Sequence, residues 1–284
     1  MNYRHAFHAG NHADVLKHVV LLATCDALVA KPAPCFALDT HAGRGLYALD
    51  DEAARRTGEA EGGVARLAGT QDPTVARYLA AIAACRAEHG PTAYPGSPWL
   101  LAHALREQDR IACCEWQPDE AAALKEVFRH DARVAVHARD GYAAMKALLP
   151  PRIGDVKFAR GLVLIDPPFE AQLEEFDAAL HALRDGLARW PQAIYLLWYP
   201  IKLRRSLQPF YRSARDLPAK SALVAELLVR PDDSPLRMNG SGLLVVNAPW
   251  RFDTLLHPTL RALRHALGED GGGHARMEWL HAPA

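Results

Sequence analysis

The sequence is short of the features that mark most specialised classes of protein. Cysteine is scarce: there are five in 284 residues, Cys113 and Cys114 are adjacent, and none forms a C-x-x-C pair. That argues against a disulfide framework or a zinc knuckle and points to a reduced, cytoplasmic protein. Charge of one sign is missing too, since 33 lysines and arginines match 33 aspartates and glutamates. With no global positive field, any polyanion site has to be a local patch. No long hydrophobic run is present either. The longest near the start, VVLLATCDALVA from Val19, is too short to span a membrane, and MNYRHAFHAGN does not read as a signal peptide.

What is there is the composition of a folded enzyme-sized chain, with 50% hydrophobic and 23% charged residues. Short apolar runs recur: CFALDTH (35–41), RIACCEW (110–116), RVAVHARD (133–140), GLVLIDP (161–167) and AIYLLWYP (193–200). Helix-like segments separate them, among them QPDEAAALKEVFRHD, with acids at its start and bases at its end. Continuous apolar strands alternating with helices predict a parallel sheet covered on both faces. The runs at 222–231 and 241–250 have no room for a crossover helix between them, so one reversed strand is expected near the sheet edge. Between the first two strands lies far more chain than a crossover needs. Its surplus, 51–94, reads as a small helical insertion within one domain spanning 1–284.

In such a sheet ligands bind beyond the carboxyl ends of the strands, and the acids and glycines collect there. The first strand closes with LDTHAGRGLYA, the second ends at Glu115, and the third ends at Asp140 and Gly141. Taken alone, G-R-G-L-Y-A matches the dinucleotide fingerprint and raises an NAD-dependent oxidoreductase as a rival. Acids on adjacent strand ends suit a nucleoside, with Glu115 accepting from ribose hydroxyls and Asp140 from an adenine amine.

The fourth strand runs into D-P-P-F, Asp166 to Phe169. The lone pair of a nucleobase amine is delocalised into the ring, and its two N–H groups are the handles by which a protein can localise it. Asp166 offers one acceptor and the Pro167 carbonyl another, while prolines bring no competing N–H. Phe169 offers a flat face, and stacking on it contributes on the order of 1–3 kcal/mol. The segment reads as an amine clamp.

D-P-P-F after a buried strand, with a glycine turn upstream, resembles the amino-group methyltransferases that use S-adenosylmethionine, whose motif is [DN]-P-P-[FYW]. More particular are MNYRHAFHAGNHADVLKH, DTHAGRG, YPGSP from Tyr94, LWYP at 197–200 and the C-terminal GHARMEW. Together they resemble the RlmJ family of bacterial 23S ribosomal RNA adenine-N6 methyltransferases along the whole chain. The resemblance implies a Rossmann-like class I methyltransferase fold, S-adenosylmethionine as cofactor, 23S ribosomal RNA as partner, and no metal or membrane. It implies Lys17, His18, His41, Gly43, Gly45, Ser97, Glu115, Asp140, Gly141 and Asp166 around the cofactor. Asp166, Pro167, Pro168 and Phe169 would hold the target adenine, with Tyr3 a candidate RNA contact; Arg4, beside it, is a candidate RNA contact as part of a local basic patch with Lys17. Arg44, inside the glycine turn, has to point away from the cofactor's sulfonium.

Several readings compete with this one. A DNA adenine methyltransferase would share every catalytic residue, and an RNA-binding module without turnover would share the surface but not need the intact clamp. His5, His8, His12 and His18 crowd one segment, yet no H-E-x-x-H or cysteine accompanies them, so no metal site is expected. The run Lys202, Arg204, Arg205 is a candidate RNA patch. A monomer is expected.

Overall fold

In a computed structural model the chain is described over residues 5–169, 173–234, 238–269 and 271–283. The expected RNA contacts Tyr3 and Arg4 lie outside the described residues. The strands are β1 (Phe36–Asp39), β2 (Leu46–Ala48), β3 (Ala93–Pro95), β4 (Arg110–Glu115), β5 (Val134–Ala138), β6 (Arg152–Ile153), β7 (Val156–Lys157), β8 (Gly161–Ile165), β9 (Ile194–Ile201), β10 (Ala222–Leu228), β11 (Gly240–Val246) and β12 (His274–His281). The helices are α1 (His12–Val29), α2 (Glu52–Thr57), α3 (Pro73–His89), α4 (Ser97–Ala104), α5 (Pro118–Val127), α6 (Gly141–Leu148), α7 (Leu173–Arg189), α8 (Gln208–Arg215) and α9 (Phe252–Leu267).

Eight strands form one sheet in the order β12-β10-β11-β9-β8-β1-β4-β5. From β5 to β9 the neighbours pair in parallel, as the apolar runs predict. The expected reversed strand is β11, antiparallel to both β9 and β10. Beyond it the sheet gains a second reversed strand, β12, antiparallel to β10 and built from the C-terminal GHARMEW segment. Its residues are mostly half-buried or exposed, so it lacks the apolar run that marks the inner strands.

Alternation along each strand divides the core between the two faces. Leu162 and Leu164 of β8 join α1, α3, α4 and α9 on one side, whereas Val163 and Ile165 join α6, α7 and α8 on the other. Within the stretch 51–94, Val75, Tyr78, Ala81, Ile82 and Cys85 of α3 pack into the same core as α1. Asn11 starts α1 by accepting from the backbone N–H groups of Ala13 and Asp14, and the helix is buried almost throughout. Among the described residues no helix is long and apolar enough to cross a membrane.

Candidate active site

Chain order reverses about β1: the chain moves from β1 to β4 and β5 on one side, then to β8 and β9 on the other. Ligand sites in open α/β sheets lie at such a switch, outside the carboxyl ends. Asp39 ends β1, Glu115 ends β4, Asp140 follows β5 and Asp166 follows β8. A single cavity of about 960 Å³ runs along this edge. Its wall includes Lys17, His18, His41, Gly43, Ser97, Glu115, Asp140, Gly141 and the whole of Asp166 to Phe169.

The glycine turn forms one end. Gly43 and Gly45 have φ of 59° and 76°, the left-handed region that glycine enters without strain. The Gly43 N–H donates to Glu115 Oε2 at 2.9 Å, and the Gln117 N–H to Glu115 Oε1 at 2.7 Å. Burial raises the pKa of Glu115 and these two donors oppose the rise. Each oxygen keeps acceptor capacity for a further donor. A Cβ on Gly141 would run into the Thr40 carbonyl oxygen, so the β5–α6 turn and the β1 turn close on each other with no side chain between. Asp140 caps α6, its Oδ1 accepting from the Ala143 N–H at 2.7 Å. Gly45 does not line the cavity; it turns the chain behind it, its carbonyl accepting from the Gly96 N–H. Arg44 points away as required, donating to both carboxylate oxygens of Glu120.

At the other end Lys17 Nζ stands 2.7 Å from Asp166 Oδ2 and 2.9 Å from Asp14 Oδ1. Asp14 is buried and also accepts from His5 Nε2 and the Gly10 N–H, each at 3.0 Å. Its burial works against ionisation, but His5 and Lys17 outweigh it and hold the carboxyl well below the usual range. His18 is fully buried, its Nδ1 3.1 Å from the Tyr94 hydroxyl, and burial lowers its pKa to about 3. Burial likewise keeps His41 neutral, at about 4. Phe169 packs against Phe176 and Trp198 with ring centroids 4.8 and 5.8 Å apart, so Trp198 forms the cavity wall beside Phe169.

The family model described as "Ribosomal RNA large subunit methyltransferase D, RlmJ" matches residues 32–281. The chain belongs to the RlmJ family. Two curated relatives, each named "Ribosomal RNA large subunit methyltransferase J", are 37% identical to it. The Escherichia coli protein aligns over 282 residues and the Haemophilus influenzae protein over 285, covering 99% of both chains in each case. A crystal structure of a Legionella pneumophila protein superposes with a TM-score of 0.84 at 31% identity, covering 95% of this chain and 98% of that one. The resemblance read from the N-terminal and D-P-P-F segments is thereby confirmed.

Two residues of this RlmJ-family site escaped the sequence. Asp39, fully buried, accepts from the Ser97 hydroxyl at 2.6 Å and from the His41 N–H at 3.3 Å. Burial pushes its pKa up to about 7 against the pull of the Ser97 hydroxyl. An acid ending a buried strand just before a glycine turn was the available signal. Asp14 lies three residues before Lys17 on one helix face, and that spacing was legible. Of the candidate RNA patch, Arg204 turns inward, its Nε 3.7 Å from the buried Glu226 and its Nη2 2.9 Å from His274 Nδ1. Among the described residues there is no cluster of three or more His, Cys, Asp or Glu side chains fit for a metal.

Proposed function

We propose that the chain transfers a methyl group from S-adenosylmethionine to the exocyclic amine of an adenine in 23S ribosomal RNA, as a cytoplasmic enzyme. One observation carries the reading: a single cavity joins a nucleoside-like end, with Glu115 and a glycine turn, to an amine-acceptor end at Asp166 and Pro167. Its volume of about 960 Å³ is at the upper end of small-molecule sites, as two occupants require. The residues present fit the cofactor. Glu115 retains acceptor capacity for ribose hydroxyls, Asp140 has a second carboxylate oxygen for the adenine amine, and Gly141, packed directly on the Thr40 backbone, adds no side chain to the cavity wall.

When bound, the cofactor supplies an electrophilic methyl group. The chain's own part is positioning and electrostatics. Asp166 and the Pro167 carbonyl accept from the two N–H groups of the target amine, drawing the nitrogen lone pair out of the ring. Lys17, anchored by Asp14, holds the Asp166 carboxylate in place. Phe169 and Trp198 supply faces for a base taken out of its stack.

The reading is tested by incubating the protein with radiolabelled S-adenosylmethionine and 23S RNA transcripts, duplex DNA or protein extract. Label is expected on adenine N6 in the RNA. Label confined to DNA or protein, or no label on any of the three, overturns it.

A further inference from the structure

The cavity does not stop at the aromatic wall of the clamp. Past Trp198 it continues to Lys202, Arg230 and Met238, faced by His12 and Glu59. Topology sets the reach. Lys202 follows β9, the neighbour of β8; because Ile165 pairs with Leu197, Lys202 stands one strand over from Asp166 and four residues, roughly 13 Å, farther out along the strand direction. An adenine whose amine lies at Asp166 directs its ribose and phosphates away from the cofactor end, toward this region.

The charged groups here differ in how far they are committed. Arg230 is occupied, Nη2 donating to Glu269 at 2.6 Å and Nη1 to the Met238 carbonyl at 3.0 Å. Glu59 is occupied by His8 at 3.0 Å and Asn11 at 2.9 Å. Lys202 is exposed, and its ammonium has no ion-pair or hydrogen-bond partner among the described residues. Its backbone is fixed, because its carbonyl accepts from the Asn239 side chain. His12, also in the cavity wall, carries a second unpaired group: its Nδ1 is buried with no hydrogen-bond partner among the described residues. Burial, with Arg230 nearby, lowers its pKa to about 4, so the ring is neutral at neutral pH. A buried polar atom left unpaired costs free energy unless a ligand supplies the bond.

We propose that this outer end is a subsite for the nucleotide next to the target adenosine, with Lys202 taking the phosphodiester between the two and His12 Nδ1 hydrogen-bonding the neighbouring base. The inference rests on the adenine-methyltransferase reading and deepens it. The ligand class is an unpaired, phosphodiester-linked nucleotide presented beside the extruded adenosine. Lys202 positions and His12 selects.

The test uses a short RNA bearing the target adenosine, and the same RNA with an uncharged methylphosphonate on its 5′ or its 3′ side. Lys202→Ala is expected to raise KM for the unmodified RNA by about tenfold or more with kcat nearly unchanged. The salt slope of RNA binding should become shallower by about 0.7–0.9, the share of one phosphate. On the RNA whose methylphosphonate removes the contacted charge, Lys202→Ala should have no further effect. An unchanged KM and slope, or effects that add for both methylphosphonates, overturns the Lys202 assignment. His12→Ala, with folding checked by thermal melting, is expected to flatten the preference among the four bases at the neighbouring position; a parent-like ranking on both sides overturns the His12 assignment. A parent protein that binds S-adenosylmethionine but methylates none of these RNAs defeats the functional reading itself. A fully active parent with an indifferent Lys202→Ala defeats only the subsite.

Discussion

Lys17 is shared between two carboxylates, 2.7 Å from Asp166 and 2.9 Å from Asp14, with only 6% of its side chain exposed. Asp14 belongs to the same helix and Asp166 lies 149 residues away in the chain. The ammonium therefore ties the N-terminal helix to the loop after β8 through a largely buried contact at the cavity wall. Removing the cation alone leaves two acids facing each other without it. Lys17→Met should thus destabilise the protein by about 3–5 kcal/mol, as for a broken buried ion pair, and cut methylation more than the loss of folded protein explains. Denaturant titration and rates per folded molecule separate the two effects; parent-like stability would show that the pair is not desolvated.

Asp166 separates a hydrogen-bond acceptor from a mere strand stop. Asp166→Asn keeps a carbonyl oxygen, while Asp166→Ala removes it. Single-turnover methylation should be partly retained in the first and fall by about 10²–10⁴ in the second. Phe169→Ala should weaken capture of the base more than the chemical step. A folded Asp166→Ala protein as fast as the parent would reduce the prolines to punctuation.

Glu115 gives a prediction for the cofactor end. Glu115→Ala removes the acceptor proposed for the ribose and also frees the Gly43 and Gln117 N–H groups. S-adenosylmethionine affinity should fall by roughly 1.5–3 kcal/mol, the range for hydrogen bonds to a charged group. Calorimetry measures it, and tight NAD binding in place of S-adenosylmethionine binding would reverse the assignment.

Asp39 sets a pH dependence of stability. Its pKa is raised from 3.8 to about 7 in the folded state, so between those values the folded protein binds more protons at this site than the unfolded chain does. The Asp39 contribution to stability therefore falls as pH rises through that window and is level above it. In the ligand-free protein, Asp39→Asn should remove this slope, so that its melting temperature relative to the parent rises from pH 4 to pH 7. Parallel melting curves across that range would contradict the buried, protonatable carboxyl.

Local pattern was enough for the sheet interior and the strand-end chemistry. The runs ending at Glu115 and Ile165 read as strands because both of their faces are buried, and acids beside glycines at strand ends are visible one residue at a time. The long N-terminal signature and D-P-P-F carried the family for the same reason. What the tertiary structure decided is which side chains meet. β12 escaped because its side chains are mostly half-buried or exposed, and it carries too few apolar residues to stand out. The family resemblance implies Lys17 beside the cofactor, and only the docking of α1 against the sheet shows that it also meets Asp166. Arg204 belongs to the basic run expected as an RNA patch, yet it turns to Glu226, a carboxylate on β10 that is fully buried. Lys202, two residues earlier in the same basic run, stays exposed on the cavity wall. A charge in a sequence is only a charge. Its partner is chosen by the packing of elements far apart in the chain, because a buried ion has to be matched within a few ångströms and an exposed one does not.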